Sequence, residues 1–582
     1  MNKEQLLEMW HDAYCRLMQS RTASGMWNGR LSSSAIATSV SVFALQRIDS
    51  ERFAPYIAHG VKWLHTTMKE DGTWGDSVES PSNMTATLLT YVSLYAVGQA
   101  PAQSRAYLDE QFGGHTEEAL ISGVLRYYGR DLTFSVPILT MCALAGVISS
   151  WDKIPTFPFE LATLPQRLFR YLNMPVVSYA IPALIAIGIC QLKRKGSMLR
   201  PVRQLFIPKA MKVLQRMQPA DGGFLEAAPL TAFVSMCLAE GGFREHEVTR
   251  GCAQFLVDTV REEGAWPIDT NLSGWVTSLA GKVFCEDDAQ KAALAQIIMR
   301  NATTAVHPFT GAMAGGWGWS DLSGSVPDGD DTSAALVALY HLMGKPSEAV
   351  ENGLRWLMNL QNRDGGMPTF CKGWGKLPFD RSTPDITAHA MLAMGLWLPS
   401  LQGELRQAVE KSYSRMAQWL KSTAQASGWT PLWFGDQDAD DEKAPVYGTA
   451  TAVDYLMQIS HLTGKPSDAL AGEQVPFLLS CQNEDGGWGG NKGVRSKVTY
   501  TSRVLAALAH FQSHPQPLSD RRREIYEARQ RGWDYLYRRY QEGTLYESEP
   551  VGLYFSRLWY SEELYNVTFL LHALKCELNE EK

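Results

Sequence analysis

Gln482-Asn483-Glu484-Asp485-Gly486-Gly487-Trp488 is the clearest copy of a turn that recurs along the chain. An apolar amphipathic segment precedes each copy, and a polar turn with glycine and an aromatic residue ends it. Glycine tolerates the positive φ at the end of a helix, the ring can stack on the turn, and the Gln is expected to bond to backbone groups. The pattern therefore predicts helices joined by repeated stabilising turns. Further copies are Asp71-Gly72-Thr73-Trp74, Asp221-Gly222-Gly223-Phe224, Gly264-Ala265-Trp266, Gly428-Trp429 and a Met-ended copy, Gln361-Asn362-Arg363-Asp364-Gly365-Gly366-Met367.

The last three copies end at Met367, Trp429 and Trp488, about 60 residues apart. That period fits two helices with their connections, a helical-hairpin repeat. Between the turns, residues 334–343 and 388–398 carry long apolar faces with few β-branched residues, and candidate strands are short and few. The chain is therefore predicted to be all-α.

Composition narrows the class of protein. The 582 residues are enough for several domains, and the net charge of -7 shows no basic excess, so no nucleic-acid partner is expected. The nine cysteines include no C-x-x-C pair, and no Asp/Cys/His triplet has metal-ligand spacing, so reduced thiols and no metal site are predicted. The polar N-terminus lacks the apolar core of a signal peptide, which favours a cytoplasmic location.

The most apolar run, residues 174–190, contains Pro175 and Pro182 and is followed by Lys193, Arg194 and Lys195. It falls short of the roughly 18–20 uninterrupted apolar residues that a spanning helix needs. Two interpretations stay open: a buried helix, which the sequence favours, and a patch that dips into one leaflet of a membrane.

An acidic run, Asp328-Gly329-Asp330-Asp331, follows the turn Gly315-Gly316-Trp317-Gly318-Trp319. Taken alone, such a run indicates an exposed helix N-terminus near Asp331, where carboxylates complement the helix dipole. Its context indicates more, because several other motifs accompany it in a fixed order.

The order of motifs resembles the squalene–hopene cyclase family, the class II triterpene cyclases. That family has a Gly-Gly-aromatic turn, a second aromatic residue, and Pro-Asp-x-Asp-Asp-Thr with its first Asp nine residues later; Trp319 and Asp328 reproduce this interval. The resemblance is collinear and covers nearly the whole chain. Its other carriers are Trp275, Ser150-Trp151-Asp152 with the prolines after it, Pro384-Asp385-Ile386-Thr387-Ala388-His389, Trp433-Phe434-Gly435 and Tyr447-Gly448-Thr449.

The resemblance implies two α/α barrel domains with Gln-Trp repeat turns. Residues 31–270 would form an inserted α-barrel, with a membrane-docking region at about 155–190. Residues 1–30 and 271–582 would form the α6-α6 barrel that carries the acid. A peripheral or monotopic location on the inner face of a membrane is then expected, and a homodimer is usual in the family.

The implied chemistry is cyclisation of a linear polyprenoid, started by protonation of an alkene. An alkene is a very weak base, so its proton donor must be un-ionised, and clustered carboxyl groups cannot all ionise at close range. By the family pattern Asp330 is the donor, with Asp328 and Asp331 as its partners. His389 would hydrogen-bond to Asp330, stabilise its conjugate base as an imidazolium and raise its acidity, and Tyr447 would hold a proton-delivering water network.

The carbocation that forms needs stabilisation without quenching, which aromatic faces provide at roughly 0.5–2 kcal/mol per ring. For each ring taken singly, ordinary core packing is nearly as good an explanation. The rings that match cavity positions of the family are Trp275, Trp319, Phe370, Trp433, Tyr554 and Tyr565.

Three functions remain open. The first is a cyclase of squalene or a similar polyprene, which needs no cofactor. The second is a cyclase of a prenyl diphosphate, which requires basic residues and Mg²⁺ near the cavity mouth. Solvated surface charge is the favoured interpretation of the candidates for that role, Lys372, Lys376, Arg381 and Arg503. The third is a non-catalytic α-barrel binding module, which the intact acidic motif disfavours. Gly329, where the family commonly has a larger residue, has no explanation in the sequence.

Overall fold

The computed structural model describes residues 1–129, 132–165, 180–196, 198–308, 311–370, 372, 380–463, 468–511, 521–553 and 558–580. Short helices joined by turns make up most of it. The helices of the first half are α1 (Lys3–Gln19), α2 (Ala35–Asp49), α3 (Ala54–Thr66), α4 (Met84–Ala96), α5 (Ala102–Phe112), α6 (Glu117–Tyr128), α7 (Leu132–Ala145), α8 (Ile181–Arg194), α9 (Arg200–Gln204), α10 (Ile207–Met217), α11 (Ala228–Leu238) and α12 (Glu247–Thr259).

The second half continues in the same way. Its helices are α13 (Ser273–Val283), α14 (Asp288–Arg300), α15 (Gly329–Met343), α16 (Glu348–Leu360), α17 (Pro384–Trp397), α18 (Gly403–Thr423), α19 (Pro445–Thr463), α20 (Asp468–Gly472), α21 (Val475–Ser480), α22 (Val498–Ala509), α23 (Arg522–Gln541) and α24 (Tyr565–Glu580). Two antiparallel pairs are the only named strands in the described ranges: β1 (Ser33–Ser34) with β2 (Trp266–Pro267), and β3 (Val551–Leu553) with β4 (Leu558–Tyr560). The all-α prediction is confirmed.

The helices of the second half form a closed inner ring. α13, α15, α17, α19, α22 and α24 each pack on the next, and α24 packs back on α13. α14, α16, α18 and α23 lie outside this ring, and α1, from the start of the chain, completes the outer layer against α24. Inner helices such as α15 and α17 are buried along nearly their whole length, as a helix enclosed on all sides must be.

A second ring lies in the first half, where α2, α4, α7, α8 and α11 pack in that order and α11 returns to α2. The β1–β2 ladder joins residues 33–34 to residues 266–267 and so brings together the two ends of this segment. We propose that the two rings are the two domains expected from the sequence, with boundaries near residues 30 and 270.

α8 contains residues 181–190 of the apolar run, for which the sequence left two interpretations open, a buried helix and a membrane patch. Every side chain from Ile181 to Leu192 is buried, so this part of the run is a core helix, the favoured interpretation. Residues 166–179 lie outside the described residues. None of the helices in the described part of the chain has both the length and the apolar sequence that crossing a bilayer requires.

The repeated turns share one set of hydrogen bonds. At two of them the aromatic ring bonds to the end of an outer helix: the indole Nε1 of Trp488 donates to Leu478 O at 2.8 Å, and that of Trp317 donates to Ile298 O at 2.7 Å. The Gln behaves as predicted, since Gln482 Nε2 donates to Gly486 O at 2.8 Å. The backbone N–H of the turn residue then donates to a Thr hydroxyl near the start of the next inner helix. These tethers are Trp27 to Thr277, Trp317 to Thr332, Met367 to Thr387, Trp429 to Thr449 and Trp488 to Thr501.

Candidate active site

The five Thr tethers lie at equivalent positions near the starts of five inner helices. The side chain two residues before each tether Thr therefore lies at the same end of the ring. The residues at this position are Trp275, Asp330, Asp385, Tyr447 and Thr499. The repeat that stabilises the fold therefore also aligns the candidate acid with its neighbours.

Asp328 is the N-cap of α15. Its Oδ1 accepts hydrogen bonds from the backbone N–H groups of Asp330 and Asp331, both at 2.8 Å, which satisfies two otherwise unpaired donors of the first turn. The cap explains why the acidic run starts a helix. The helix begins at Gly329 rather than near Asp331, because Asp328 takes the capping role.

Three carboxyl groups meet at this helix start. Burial raises the pKa of Asp328 to about 7, and burial together with the neighbouring Asp328 and Asp330 raises the pKa of Asp331 well above its ordinary value. Asp328 and Asp331 are nearly fully buried, whereas the Asp330 side chain is 22% exposed. Asp330 is therefore the carboxyl group that an incoming ligand can reach, beside two carboxyl groups whose raised pKa values favour their protonated forms.

His389 lies directly behind Asp330. Its Nδ1 is 2.6 Å from Asp330 Oδ1, and its ring stacks on Tyr455 with the centroids 4.6 Å apart. Burial lowers the pKa of His389, and nearby Lys282 and Arg503 act in the same direction, although Asp330 opposes them. The imidazolium that the sequence predicts for the state after proton donation stays a prediction. With a proton on Nδ1, the ring donates a hydrogen bond to Asp330 Oδ1.

Gly329 fits a close approach between α15 and the turn before α17. A Cβ at this position would lie 3.0 Å from Pro368 O and 3.2 Å from Ile386 Cγ2, and the Gly329 N–H donates to Thr369 O at 3.0 Å. The small residue lets this backbone pack tightly beside the acid. The position that the sequence left unexplained therefore has a packing reason.

A cavity of about 570 Å³, part of it open to solvent, lies in front of Asp330. Trp319, Phe370 and Trp433 form a continuous aromatic wall, with ring centroids 6.3 Å and 5.1 Å apart and edge-to-face geometry. The residues that line the cavity are Asp269, Leu272, Trp275, Trp319, Asp328, Asp330, Asp331, Thr369, Phe370, Ile386, Trp433, Phe434, Tyr560 and Tyr565.

Most residues predicted from the sequence meet in this cavity. Trp275, Trp319, Phe370, Trp433, Tyr565 and the three aspartates line it. His389 and Tyr447 do not appear among the lining residues and lie behind it: Tyr447 packs on Phe434 with ring centroids 4.7 Å apart, and its hydroxyl accepts a hydrogen bond from Arg503 Nη2 at 3.3 Å. Tyr554 falls outside the described residues. The role of Tyr447 in a water network stays a prediction.

Several site residues were missed. Tyr560 carried no motif, and its hydroxyl is 2.6 Å from that of Tyr565. Asp385 was quoted within the His389 motif but not assigned to the site; burial raises its pKa to about 6, and Thr383 Oγ1 donates to it. Its place two residues before the tether Thr387 is the signal that could have identified it. Asp269 had no such signal.

Arg503 is not a surface charge, as the sequence had favoured, nor does it lie at a cavity mouth. It is 4% exposed on α22, and its guanidinium lies 4.0 Å from the centroid of the Phe569 ring. The signal was present in the sequence, since residues 498–509 contain one charge in an otherwise uncharged run. Buried between Tyr447 and Phe569, Arg503 supports the wall behind the acid.

Asp454 lies at the centre of a buried polar cluster between α19, α22 and α24. Its Oδ1 is 2.9 Å from His510 Nε2, and its Oδ2 is 2.8 Å from His572 Nε2. Burial opposes the charge on Asp454, but the two histidines outweigh it and hold the Asp454 pKa well below its ordinary value. The bond to Asp454 likewise raises the pKa of His510 to about 10 against the effect of burial.

This cluster contains an Asp/Cys/His triplet that sequence spacing did not suggest. Ligand atoms of Asp454, His572 and Cys576 lie within 4.8 Å of one another, and these are residue types that zinc prefers. Both histidines, however, have raised pKa values and pair with the carboxylate, so they carry protons that a metal ion would have to displace. The arrangement is that of a buried ion-pair network.

Comparisons with known proteins find the following similarities. The chain is 23% identical over 546 residues to enfumafungin synthase efuA of Hormonema carpetanum, an alignment that covers 77% of this chain but only 39% of that protein. It is 22% identical over 589 residues to squalene hopane cyclase afumA of Aspergillus fumigatus, covering 80% and 75% of the two chains. Among solved structures, type II terpene cyclase MstE from Scytonema aligns with 15% identity and a TM-score of 0.39, over 53% of this chain and 88% of that chain.

A family comparison covers the part of the chain that builds the acid-bearing ring. The family model of the squalene-hopene cyclase C-terminal domain matches residues 4–92 and 295–578, more than half of the chain. The matched residues include the capped acidic run, His389 and all five inner helices from α15 to α24. By this match, the chain belongs to the squalene–hopene cyclase C-terminal domain family.

Proposed function

We propose that this protein is a class II terpene cyclase that folds a linear polyprenoid into rings. The observation that carries the proposal is the position of Asp330. It is the exposed member of a buried carboxyl cluster, it lies 2.6 Å from His389 Nδ1, and it faces a cavity walled by aromatic rings. An acid that faces aromatic rings suits the protonation of an apolar substrate, which a hydrolytic site would not need.

The first step transfers the proton of Asp330 to a terminal alkene carbon. The O–H bond breaks, a C–H bond forms from the alkene electrons, and the neighbouring carbon becomes cationic. His389 stabilises the aspartate left behind by donating to its Oδ1, and the proton shared by Asp328 and Asp331 keeps further negative charge low. Successive alkenes then attack the cation, while Trp319, Phe370 and Trp433 stabilise the positive charge through their ring faces.

A neutral polyprenoid is the substrate class that the cavity favours. Its described lining contains Asp269, Asp328, Asp330 and Asp331 and no lysine or arginine, so no cationic side chain of this lining would offset the negative charge of a diphosphate. One of the relatives, squalene hopane cyclase afumA, carries a name for squalene cyclisation. Squalene or a polyprene of similar length is therefore the first candidate, and it requires no cofactor. A prenyl diphosphate bound with Mg²⁺ is the alternative.

Incubation with squalene, farnesyl diphosphate and geranylgeranyl diphosphate, each with and without Mg²⁺, tests the substrate class. We expect a cyclic product from the neutral polyprene, with a yield that does not depend on Mg²⁺. A cyclic diphosphate formed only with Mg²⁺ would establish the alternative. Consumption of none of the three, with the protein folded by circular dichroism, would favour a binding module.

We also propose that the protein takes its apolar substrate from a membrane surface. Residues 181–190 of the docking region expected at 155–190 lie in α8 and are buried. An exposed apolar patch begins earlier in this region and continues just after it in the chain. Exposed basic residues, Arg200, Lys209 and Lys212, lie beside the patch and suit anionic headgroups. The apolar patch consists of Leu164, Met198, Leu199, Val202, Leu205 and Phe206.

Flotation with vesicles of phosphatidylcholine and phosphatidylglycerol tests this surface. The double substitution Met198→Ser and Leu205→Ser removes two side chains that are 98% and 78% exposed. Losing their insertion should weaken vesicle binding by about tenfold or more. Val78→Ser, at an exposed apolar residue outside the patch, is the matched control. Equal binding by all three proteins would contradict the proposal.

A further inference from the structure

Asp269 is a fourth aspartate in the cavity and comes from a different part of the chain than the acidic run. It follows β2, and its backbone forms an antiparallel bridge with Ala227, so its position is fixed by the segment that enters α11. The residue is 8% exposed, and its side chain lines the cavity together with Trp275, Trp319, Tyr560 and Tyr565. Nothing in the chemistry of the first proton transfer uses it.

The Asp269 carboxyl group has an oxygen with no hydrogen-bond partner. Within the described ranges, no donor contacts the buried Oδ1. Burial raises the pKa of Asp269 to about 7, and no charge or hydrogen bond offsets that effect. A buried carboxyl group without a partner destabilises a fold, so stability does not explain why the chain has one here. An oxygen with free lone pairs that faces an aromatic cavity is available to a ligand.

A second carboxyl group, Glu226, interacts with the first. Glu226 Oε1 accepts a hydrogen bond from Ser320 Oγ at 2.8 Å, Oε2 has no partner in the described part of the chain, and Ser320 follows the cavity residue Trp319. Leu225 and Glu226 both adopt left-handed backbone conformations, with φ of 55° and 56°. Two successive non-glycine residues in this region store strain, as residues at functional sites often do.

The two carboxyl groups have different affinities for a proton. Burial, with the nearby acidic residues Asp221 and Asp269, raises the pKa of Glu226 to about 8, above that of Asp269. Near neutral pH, Glu226 therefore keeps its proton while Asp269 can ionise. Pairs of carboxyl groups separated in this way commonly divide the roles of acid and base.

We infer that Asp269 is the base that ends the cyclisation by taking a proton from the last carbocation, an assignment that rests on the proposed function. A C–H bond next to the cationic carbon breaks, its electron pair becomes the second bond of a new alkene, and the proton goes to Asp269 Oδ1. The carboxylate also attracts the positive charge and so fixes where along the cavity the cation stops. One proton enters at Asp330 and one leaves at Asp269, so the substrate is isomerised without a net gain of atoms.

The test compares the products of wild type, Asp269→Asn and the control Asp258→Asn, at an exposed aspartate outside the cavity. With the substrate that the wild type cyclises, we expect Asp269→Asn to form the wild-type alkene at least about a hundredfold more slowly. Other alkenes or alcohols should replace it, because the cation is still formed at Asp330. The control should give the wild-type products.

Thermal unfolding separates this role from a structural one. The folded-state pKa of Asp269 is raised, so ionisation in the unfolded chain lowers wild-type stability as pH rises from about 4 to about 7. The Asn variant lacks this effect, so its melting temperature relative to wild type should increase from pH 5 to pH 8.

Two results with an active wild type would overturn the assignment. They are an unchanged product profile in Asp269→Asn, and complete loss of substrate consumption in a folded variant, which would place Asp269 in initiation. A wild-type product that is only an alcohol would overturn it as well. A wild type that cyclises nothing would instead refute the proposed function.

Discussion

Asp330→Asn is expected to reduce cyclisation by at least about a thousandfold while leaving the protein folded. The amide has nearly the shape of the carboxyl group, and its oxygen can still accept the hydrogen bond from His389 Nδ1. It has no proton acidic enough for an alkene, so the first carbocation does not form. Product formation from the substrate identified in the panel measures the effect.

A matched control and a structural check make this result specific. Asp288→Asn changes an exposed aspartate in the first turn of α14 and should leave both rate and products unchanged. Far-ultraviolet circular dichroism should be the same for all three proteins. Substantial cyclisation by folded Asp330→Asn would rule out Asp330 as the proton donor.

Asp454→Asn is expected to lower the free energy of unfolding by about 3–5 kcal/mol near neutral pH. The substitution removes the anion between His510 and His572, so each buried imidazolium group loses a carboxylate oxygen, at 2.9 Å and 2.8 Å respectively. Urea denaturation of wild type and variant measures the difference. Asp441→Asn, at an exposed carboxylate 3.0 Å from Lys443 Nζ, is the control and should change stability by at most about 1 kcal/mol.

The pH dependence of this deficit follows from the pKa shifts. Asp454 has a lowered pKa, so its contribution is present above the unfolded value of 3.8 and is lost as pH falls through the folded value. His510 has a raised pKa, so its contribution is full below 6.5 and is lost as pH rises through about 10. The deficit should thus be largest between about pH 4 and pH 6.5 and should shrink toward pH 10. A deficit that is constant across this range would show that the network is not held by charge.

The acidic cluster was predictable from the sequence because its aspartates are neighbours in the chain. Asp328, Asp330 and Asp331 lie in one run after Trp319, and a single turn of helix brings them together. The repeated turns were predictable for the same reason, since the bonds from Gln482 to Gly486 O and from Trp488 to Leu478 O each join groups within about ten residues of one another.

Features that depend on contacts between residues far apart in the chain were not predictable in this way. Asp269 reaches the cavity only because β2 pairs with β1, more than 230 residues earlier in the chain. The lowered pKa of His389 depends on burial and on Lys282 and Arg503 from two other helices. Arg503 could have been identified as buried from its apolar surroundings, but its contact with Tyr447 joins two repeats that sequence spacing does not relate.

The Thr tethers have a consequence for how such an enzyme can change. They separate what holds the backbone from what performs the chemistry: the backbone N–H of the turn residue and the Thr hydroxyl fix the helix, and the side chain two residues before the Thr takes no part in that bond. In this chain that one position holds an indole, two carboxyl groups, a phenol and a hydroxyl, at Trp275, Asp330, Asp385, Tyr447 and Thr499. A substitution at this position can therefore change the chemistry of the site while the tether that holds the helix stays in place.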